Sequence, residues 1–201
     1  IATWWQDKKA DFVFPSGSPA VVELPAAGRP SYYGLPVYGS KLIFIIDFSG
    51  SMRGEKIAAA QRELIATIAQ LPDGVYFNII AFNSVVFSWK EELVPTSPDS
   101  RKEAMRFVGA GIAADQTASY DALRAALRQN CDAIYFLTDG EPAGGEISNP
   151  FQIVARISEQ NRVRRATIHS IGIGVGGRGG TFDTFLSDLA TKNFGAYRRL
   201  D

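Results

Sequence analysis

The sequence predicts an open, doubly wound α/β sheet, mostly parallel, with helices on both faces and one antiparallel edge strand. Three observations carry that prediction. Leu42-Ile43-Phe44-Ile45-Ile46 is an unbroken apolar run ending at Asp47, the pattern of a strand buried on both faces. Such runs alternate with segments whose apolar residues recur at helical spacing, which calls for parallel strands joined by right-handed crossovers. Asn83-Ser84 is short enough to turn one strand directly into an antiparallel neighbour. The arrangement is Rossmann-like, and in such sheets ligands bind beyond the carboxyl ends of the strands, where strand order reverses.

Residues 1–37 hold Pro15, Pro19, Pro25, Pro30 and Pro36 and show no helical period, so they read as an extended flanking segment ahead of a domain over 38–201. Trp4, Trp5, Phe12, Phe14, Tyr32, Tyr33 and, just past its end, Tyr38 are too many aromatic side chains for a solvated linker, so part of the flank is expected to pack, on this domain or on a neighbour. After the first strand, Ile57, Leu64, Ile65, Ile68 and Leu71 mark an amphipathic helix that Pro72-Asp73-Gly74 stops. Val75–Phe82 and Val85–Trp89 form the edge hairpin. A short helix is expected over Arg101–Val108, and Tyr120, Leu123 and Leu127 mark another before the strand Ala133–Leu137. Asn149 and Pro150 suit the N-cap and first position of a helix with an apolar stripe of Phe151, Val154 and Ile157. Strand Ala166–Ile173 follows, then a helix capped by Thr181 with Phe182, Phe185, Leu186 and Leu189 on one face, and Ala196–Leu200 closes the sheet.

Composition excludes several classes. Hydrophobic residues at 46% and charged residues at 21% are ordinary globular usage, against disorder or a fibre. Lys plus Arg and Asp plus Glu balance at 21 each, so no global field draws nucleic acid or an anionic membrane to the chain. No apolar run approaches the ~18 residues of a membrane span, so no direct insertion is expected. Cys131 is the only cysteine, which rules out an internal disulfide and a zinc ligand set and predicts a small buried side chain. A chain without disulfides suits intracellular and extracytoplasmic settings alike. Its start at Ile1 rather than Met predicts a processed product or an excised part of a larger polypeptide.

The chemistry concentrates at two strand ends. Asp47-Phe48-Ser49-Gly50-Ser51 places an acid and two hydroxyls at alternate positions in a tight turn, and Thr138-Asp139-Gly140 sets a second acid at the end of another strand. In a sheet of order 3-2-1-4-5-6 these two strands are neighbours flanking the switch point, so Asp47 and Asp139 stand side by side. Paired carboxylates repel, and one takes up a proton unless a cation lies between them. Mg²⁺ accepts hard oxygens with few carboxylates, and Mn²⁺ or Ca²⁺ are alternatives for the same donors. Taken singly, the first piece also reads as a helix cap and the second as a plain turn. Together they fit a metal site.

The stretch KLIFIIDFSGSM from Lys41 resembles the opening of a von Willebrand factor type A domain, whose metal-ion-dependent adhesion motif is Asp-x-Ser-x-Ser. TASYDALRAAL from Thr117 resembles the second metal loop of that family, and IYFLTDGEP from Ile134 the third. The resemblance covers roughly Leu42 to Asp201. It implies a metal set of Asp47, Ser49, Ser51, Thr117 and Asp139, with an open coordination position that takes an acidic side chain of a partner protein. Read without it, Thr117 is simply the N-cap of its helix. Asp115-Gln116 stand where the family commonly has Gly-Gly, which alters the loop or adds a charge. Members that switch affinity usually move a helix after the last strand, so the stop at Asp201 argues against long-range switching here. Glu141 reads as a solvated turn residue.

Other signals are weak. Gly172-Ile173-Gly174-Val175-Gly176-Gly177 satisfies a dinucleotide fingerprint but follows a late strand, away from the switch point. His169 lies in an apolar strand pattern and reads as structural. Arg162, Arg164 and Arg165 offset a helix dipole at its end. Three functions compete: a metal-dependent binding module that is not an enzyme, a Mg²⁺-dependent phosphohydrolase, and a scaffold whose metal only stabilises loops. The intact donor set favours the first.

Overall fold

The described residues, 30–174, 176 and 178–201 of a computed structural model, open with a small hairpin. The flank aromatics Trp4, Trp5, Phe12 and Phe14 lie outside them. Strands β1 (Ser31–Tyr32) and β2 (Leu35–Pro36) pair antiparallel about Tyr33-Gly34, whose φ values of 51° and 78° make the two-residue turn that matches strand twist. Tyr32 is wholly buried and meets Phe44 edge-on at 5.6 Å. Thr67 Oγ1 donates to Ser31 O at 2.9 Å, and Tyr135 Oη to Pro36 O at 2.8 Å. Residues 30–37 therefore pack into the core beneath the first long helix.

The remaining elements are β3 (Lys41–Asp47), a 3₁₀ turn (Gly50–Met52), α1 (Glu55–Gln70), β4 (Tyr76–Phe82), β5 (Val86–Ser88), β6 (Val94–Pro95), α2 (Pro98–Ala110) and α3 (Ser119–Arg128), followed by β7 (Ala133–Thr138), α4 (Pro150–Arg164), β8 (Thr167–Ile173), α5 (Thr181–Lys192) and β9 (Tyr197–Leu200). The large sheet has the order β5-β4-β3-β7-β8-β9. Strands β4, β3, β7, β8 and β9 are parallel, and the doubly wound fold expected from the sequence is present. The antiparallel edge is split. Both β5 and β6 pair with β4, one against Ile80–Phe82 and the other against Tyr76–Phe77; β5 ends at Ser88, although Trp89 N still donates to Ile79 O at 2.9 Å.

Strand β3 shows why the central run has no polar alternation. Leu42, Phe44 and Ile46 point into one layer with α1 and α2, while Ile43 and Ile45 point into the other with α3, α4 and α5. With successive side chains on opposite faces and helices on both, every position from Leu42 to Asp47 is buried.

Three local expectations are corrected. Phe151 is 64% exposed, because the buried stripe of α4 runs through Ile153, Val154, Ile157 and Asn161. Thr181 caps nothing: the N-cap of α5 is Gly180, and Asp183 Oδ2 instead accepts from Gly179 N at 2.8 Å. Helix α2 starts earlier than Arg101, at Pro98, where N-cap Ser97 and Ser100 in the first turn form a reciprocal capping box. Asn149 and Pro150 do open α4, with Asn149 accepting from Gln152 N at 3.1 Å. Cys131 is buried beside β7, and burial pushes its thiol up to about 12.

His169 is buried in β8, stacked on Tyr135 at 4.8 Å, and its Nδ1 accepts from Ala196 N at 3.1 Å. Burial lowers its pKa below the ordinary 6.5. The unfolded chain then takes up the proton first on acidification, so the stability His169 contributes is present above pH 6.5 and lost as pH falls through the lower folded value. An NMR titration of this imidazole should show a midpoint below 6.5; a midpoint above it would mean that the ring is hydrated or charge-paired.

Candidate metal centre

Asp47 ends β3 at the point where the strand meets solvent, yet its side chain is buried. Ser49 N donates to Asp47 Oδ1 at 2.6 Å, and Thr138 Oγ1 donates to Oδ2 at 2.5 Å. The latter bond ties two neighbouring strand ends one residue beyond the registered pair Ile46–Leu137. Burial pushes the Asp47 carboxyl up to about 6 from an ordinary 3.8, against the pull of the Thr138 and Ser49 hydrogen bonds, and neighbouring Asp139 adds a smaller push upward.

The chain of oxygens continues outward. Ser49 Oγ and Ser51 Oγ are 3.1 Å apart, and Ser51 Oγ donates to Asp139 Oδ1 at 2.6 Å. Ser51 is exposed whereas Ser49 is buried, so the turn presents one hydroxyl inward and one at the rim. Thr117 joins from the loop before α3. A Cβ placed on Gly140 would stand 3.1 Å from Ser51 Oγ and 3.7 Å from Thr117 Oγ1, so both hydroxyls converge on the backbone just after Asp139. The alternative for Thr117 as a helix cap is corrected, since the N-cap of α3 is Ala118 and no side chain caps it.

Backbone bonds hold the loops in place. Gly50 N donates to Asp115 O at 2.9 Å, Ala114 N to Phe48 O at 2.8 Å, and Ala143 N to Thr117 O at 3.1 Å. Asp115 takes the left-handed conformation, φ 64°, which glycine adopts freely and Asp tolerates better than most residues. Glu141 is exposed. Among the described residues no cluster of three or more His, Cys, Asp or Glu could hold a metal. The five sequence-predicted positions instead offer two carboxylates and three hydroxyls, a donor set that fits a small hard cation able to keep some of its waters.

Sequence reading missed Lys56. Its Nζ lies 2.5 Å from Asp139 Oδ2, and it is the second residue of α1. A cation is disfavoured at a helix N-terminus, and that misplacement was the available signal that an anion had to lie nearby.

The family model for the von Willebrand factor type A domain matches residues 40–198. The chain belongs to that family. This type A domain is 32% identical over 185 residues to inter-alpha-trypsin inhibitor heavy chain H3 of Mesocricetus auratus, a match covering 83% of this chain and 20% of the relative. Heavy chain H4 of Homo sapiens is likewise 32% identical over 183 residues, covering 83% and 19%. The type A domain thus spans about a fifth of the length of the curated relatives it matches. Among solved structures, a von Willebrand factor type A protein from Catenulispora acidiphila superposes with a TM-score of 0.69 at 24% identity, over 81% of this chain and 38% of that one. No helix among the described residues of this type A domain is long and apolar enough to cross a membrane.

Proposed function

We infer that this domain is a metal-dependent protein-binding module and not an enzyme. Asp47, Ser49, Ser51, Thr117 and Asp139 would hold Mg²⁺, with Mn²⁺ or Ca²⁺ as alternatives. The observation that carries this reading is the bond from Ser51 to Asp139, 2.6 Å long, which joins the turn after β3 to the end of β7 at the switch point. When bound, the ion would supply a Lewis-acidic open position for the carboxylate of an Asp or Glu on a partner protein. Thr138 and Ser49 N fix the orientation of Asp47, and the backbone bonds from Gly50 and Ala114 hold the hydroxyl-bearing turn against the Thr117 loop. Family membership supports a role in protein recognition, and the length of the relatives supports a place in a larger polypeptide, with 1–37 as flank and 38–201 as the module. The competing phosphohydrolase reading gains no base from His169, the one histidine, which is buried with Nδ1 accepting from Ala196 N.

The test uses Asp139→Ala and the unaltered domain. Mg²⁺ at about 100 times its dissociation constant should add about 2.7 kcal/mol to the unaltered domain, a rise of roughly 5–10 °C in melting temperature, and nothing to the variant. Immobilised domain should retain peptides from a random library with a fixed Asp or Glu in Mg²⁺ but not in EDTA. Undiminished retention in EDTA would sink the metal-bridged reading.

A further inference from the structure

Lys56 and Asp139 form an ion pair of an unusual kind for a candidate metal site. The Asp139 side chain is fully buried, the Lys56 side chain is 40% exposed, and Nζ to Oδ2 is 2.5 Å. Both Asp139 oxygens are engaged, Oδ1 by Ser51 and Oδ2 by Lys56. The adjacent acid on α1, Glu55, is paired with Arg62 instead. Lys56 is therefore committed to the site from a helix end whose dipole opposes it.

A carboxylate that serves a divalent ion cannot keep an ammonium at hydrogen-bond distance without strong repulsion between the two cations. The two site carboxylates carry two negative charges, which one ammonium half neutralises and one divalent ion neutralises fully. The ammonium has Gly174 on one side, and the lysine side chain is 40% exposed to solvent. A Cβ on Gly174 would stand 3.5 Å from Lys56 Cε and 3.7 Å from Nζ, and Gly174 has φ +59°, so the loop after β8 meets the lysine with bare backbone. Gly174 thus acquires a role unrelated to nucleotides.

We propose that Lys56 is the internal counter-cation of the metal site: it holds Asp139 while no metal is bound and withdraws past Gly174 as the metal enters. Metal uptake is then an exchange of cations. Lys56 keeps the metal-free fold intact and, by the same contact, holds metal affinity down. The inference rests on the metal-binding reading above, and its test separates the two.

Lys56→Gln and Lys56→Arg are compared with the unaltered domain by calorimetric titration with Mg²⁺ and by melting in EDTA and in saturating Mg²⁺. Lys56→Gln should bind Mg²⁺ about tenfold more tightly or better, because the competing charge beside Asp139 is gone. It should melt lower than the unaltered domain in EDTA, where Asp139 is left buried without its cation, and level with it in saturating Mg²⁺. Lys56→Arg, which keeps the charge, should bind Mg²⁺ weakly like the unaltered domain. Equal or weaker Mg²⁺ binding by Lys56→Gln overturns the exchange and makes Lys56 a positioning residue. A melting deficit equal with and without Mg²⁺ likewise overturns it. If neither the unaltered domain nor Lys56→Gln takes up Mg²⁺, Mn²⁺ or Ca²⁺, the metal-binding reading falls with it.

Discussion

Asp47→Asn should abolish Mg²⁺ uptake and at the same time raise the melting temperature of the metal-free domain. The two effects have one cause. Burial holds the Asp47 carboxyl at about 6 rather than 3.8, so at neutral pH the folded protein carries a charge it would be more stable without. The sign follows from linkage: a raised folded pKa gives stability that is present below pH 3.8 and lost as pH rises through about 6. At about 1.4 kcal/mol per pK unit, the deprotonated form costs roughly 3 kcal/mol. Asn is isosteric and neutral, it can accept from Ser49 N, and its amide can donate to Thr138 Oγ1, so it recovers much of that cost. In EDTA at pH 7.5 the variant should melt up to about 10 °C higher, by the scaling of roughly 2–4 °C per kcal/mol for a domain of this size. Adding Mg²⁺ should shift the unaltered domain alone. A variant that melts lower in EDTA would show that the hydrogen bonds to the carboxylate outweigh its burial, and a variant that still responds to Mg²⁺ would remove Asp47 from the ligand set.

Gly195→Ala should be the most damaging single substitution outside the site. Gly195 lies between α5 and β9, where its N–H closes on Ala190 O at 2.9 Å. A Cβ there would stand 1.9 Å from Ile168 O and 2.4 Å from Ile168 C, and both are backbone atoms of β8 that cannot rotate away. Either β9 leaves the sheet or β8 is displaced, and β8 pairs with β7 from Thr167 to Gly172. A loss of about 3–5 kcal/mol is expected, at the top of the range for point substitutions. Thermal melting checks it, and because β3 and β7 carry the loops of the candidate site, any Mg²⁺ response of the unaltered domain should persist in the variant at temperatures where it is folded. A melting temperature unchanged within about 1 °C would mean that the two backbones do not approach so closely.

The sheet order was legible because burial on both faces leaves its mark on composition: β3 and β7 are apolar runs with no polar alternation, β8 keeps Ile168, Ile171 and Ile173 around His169 and Ser170, and the helices between them are amphipathic. Elements without a period were not legible. Strand β6 is only Val94–Pro95, too short to show any pattern, and the β1–β2 hairpin turns at Tyr33-Gly34 without the Asn-Gly or Asp-Gly signal of such turns. Phe151 was misplaced because its apolar side chain falls beside a stripe that Ile153 and Ile157 already define. At the candidate site, the five oxygen-bearing positions could be named from strand ends and resemblance. The Thr138–Asp47 bond and the Lys56–Asp139 pair could not, because sequence spacing shows neighbours on one helix and not partners 83 or 91 residues apart.

The bond from Ser51 to Asp139 spans 88 residues of chain. Between them lie α1, β4, β5, β6, α2, α3 and all of β7, which must be in place before the two loops meet. Contacts this distant in sequence form late, after the cost of closing a long loop has been met. No early folding intermediate can then offer the complete donor set. An ion held there would leave the rate of folding nearly unchanged and slow unfolding instead, since it grips only the finished sheet. What it would confer is kinetic persistence: a domain that, once loaded, seldom opens.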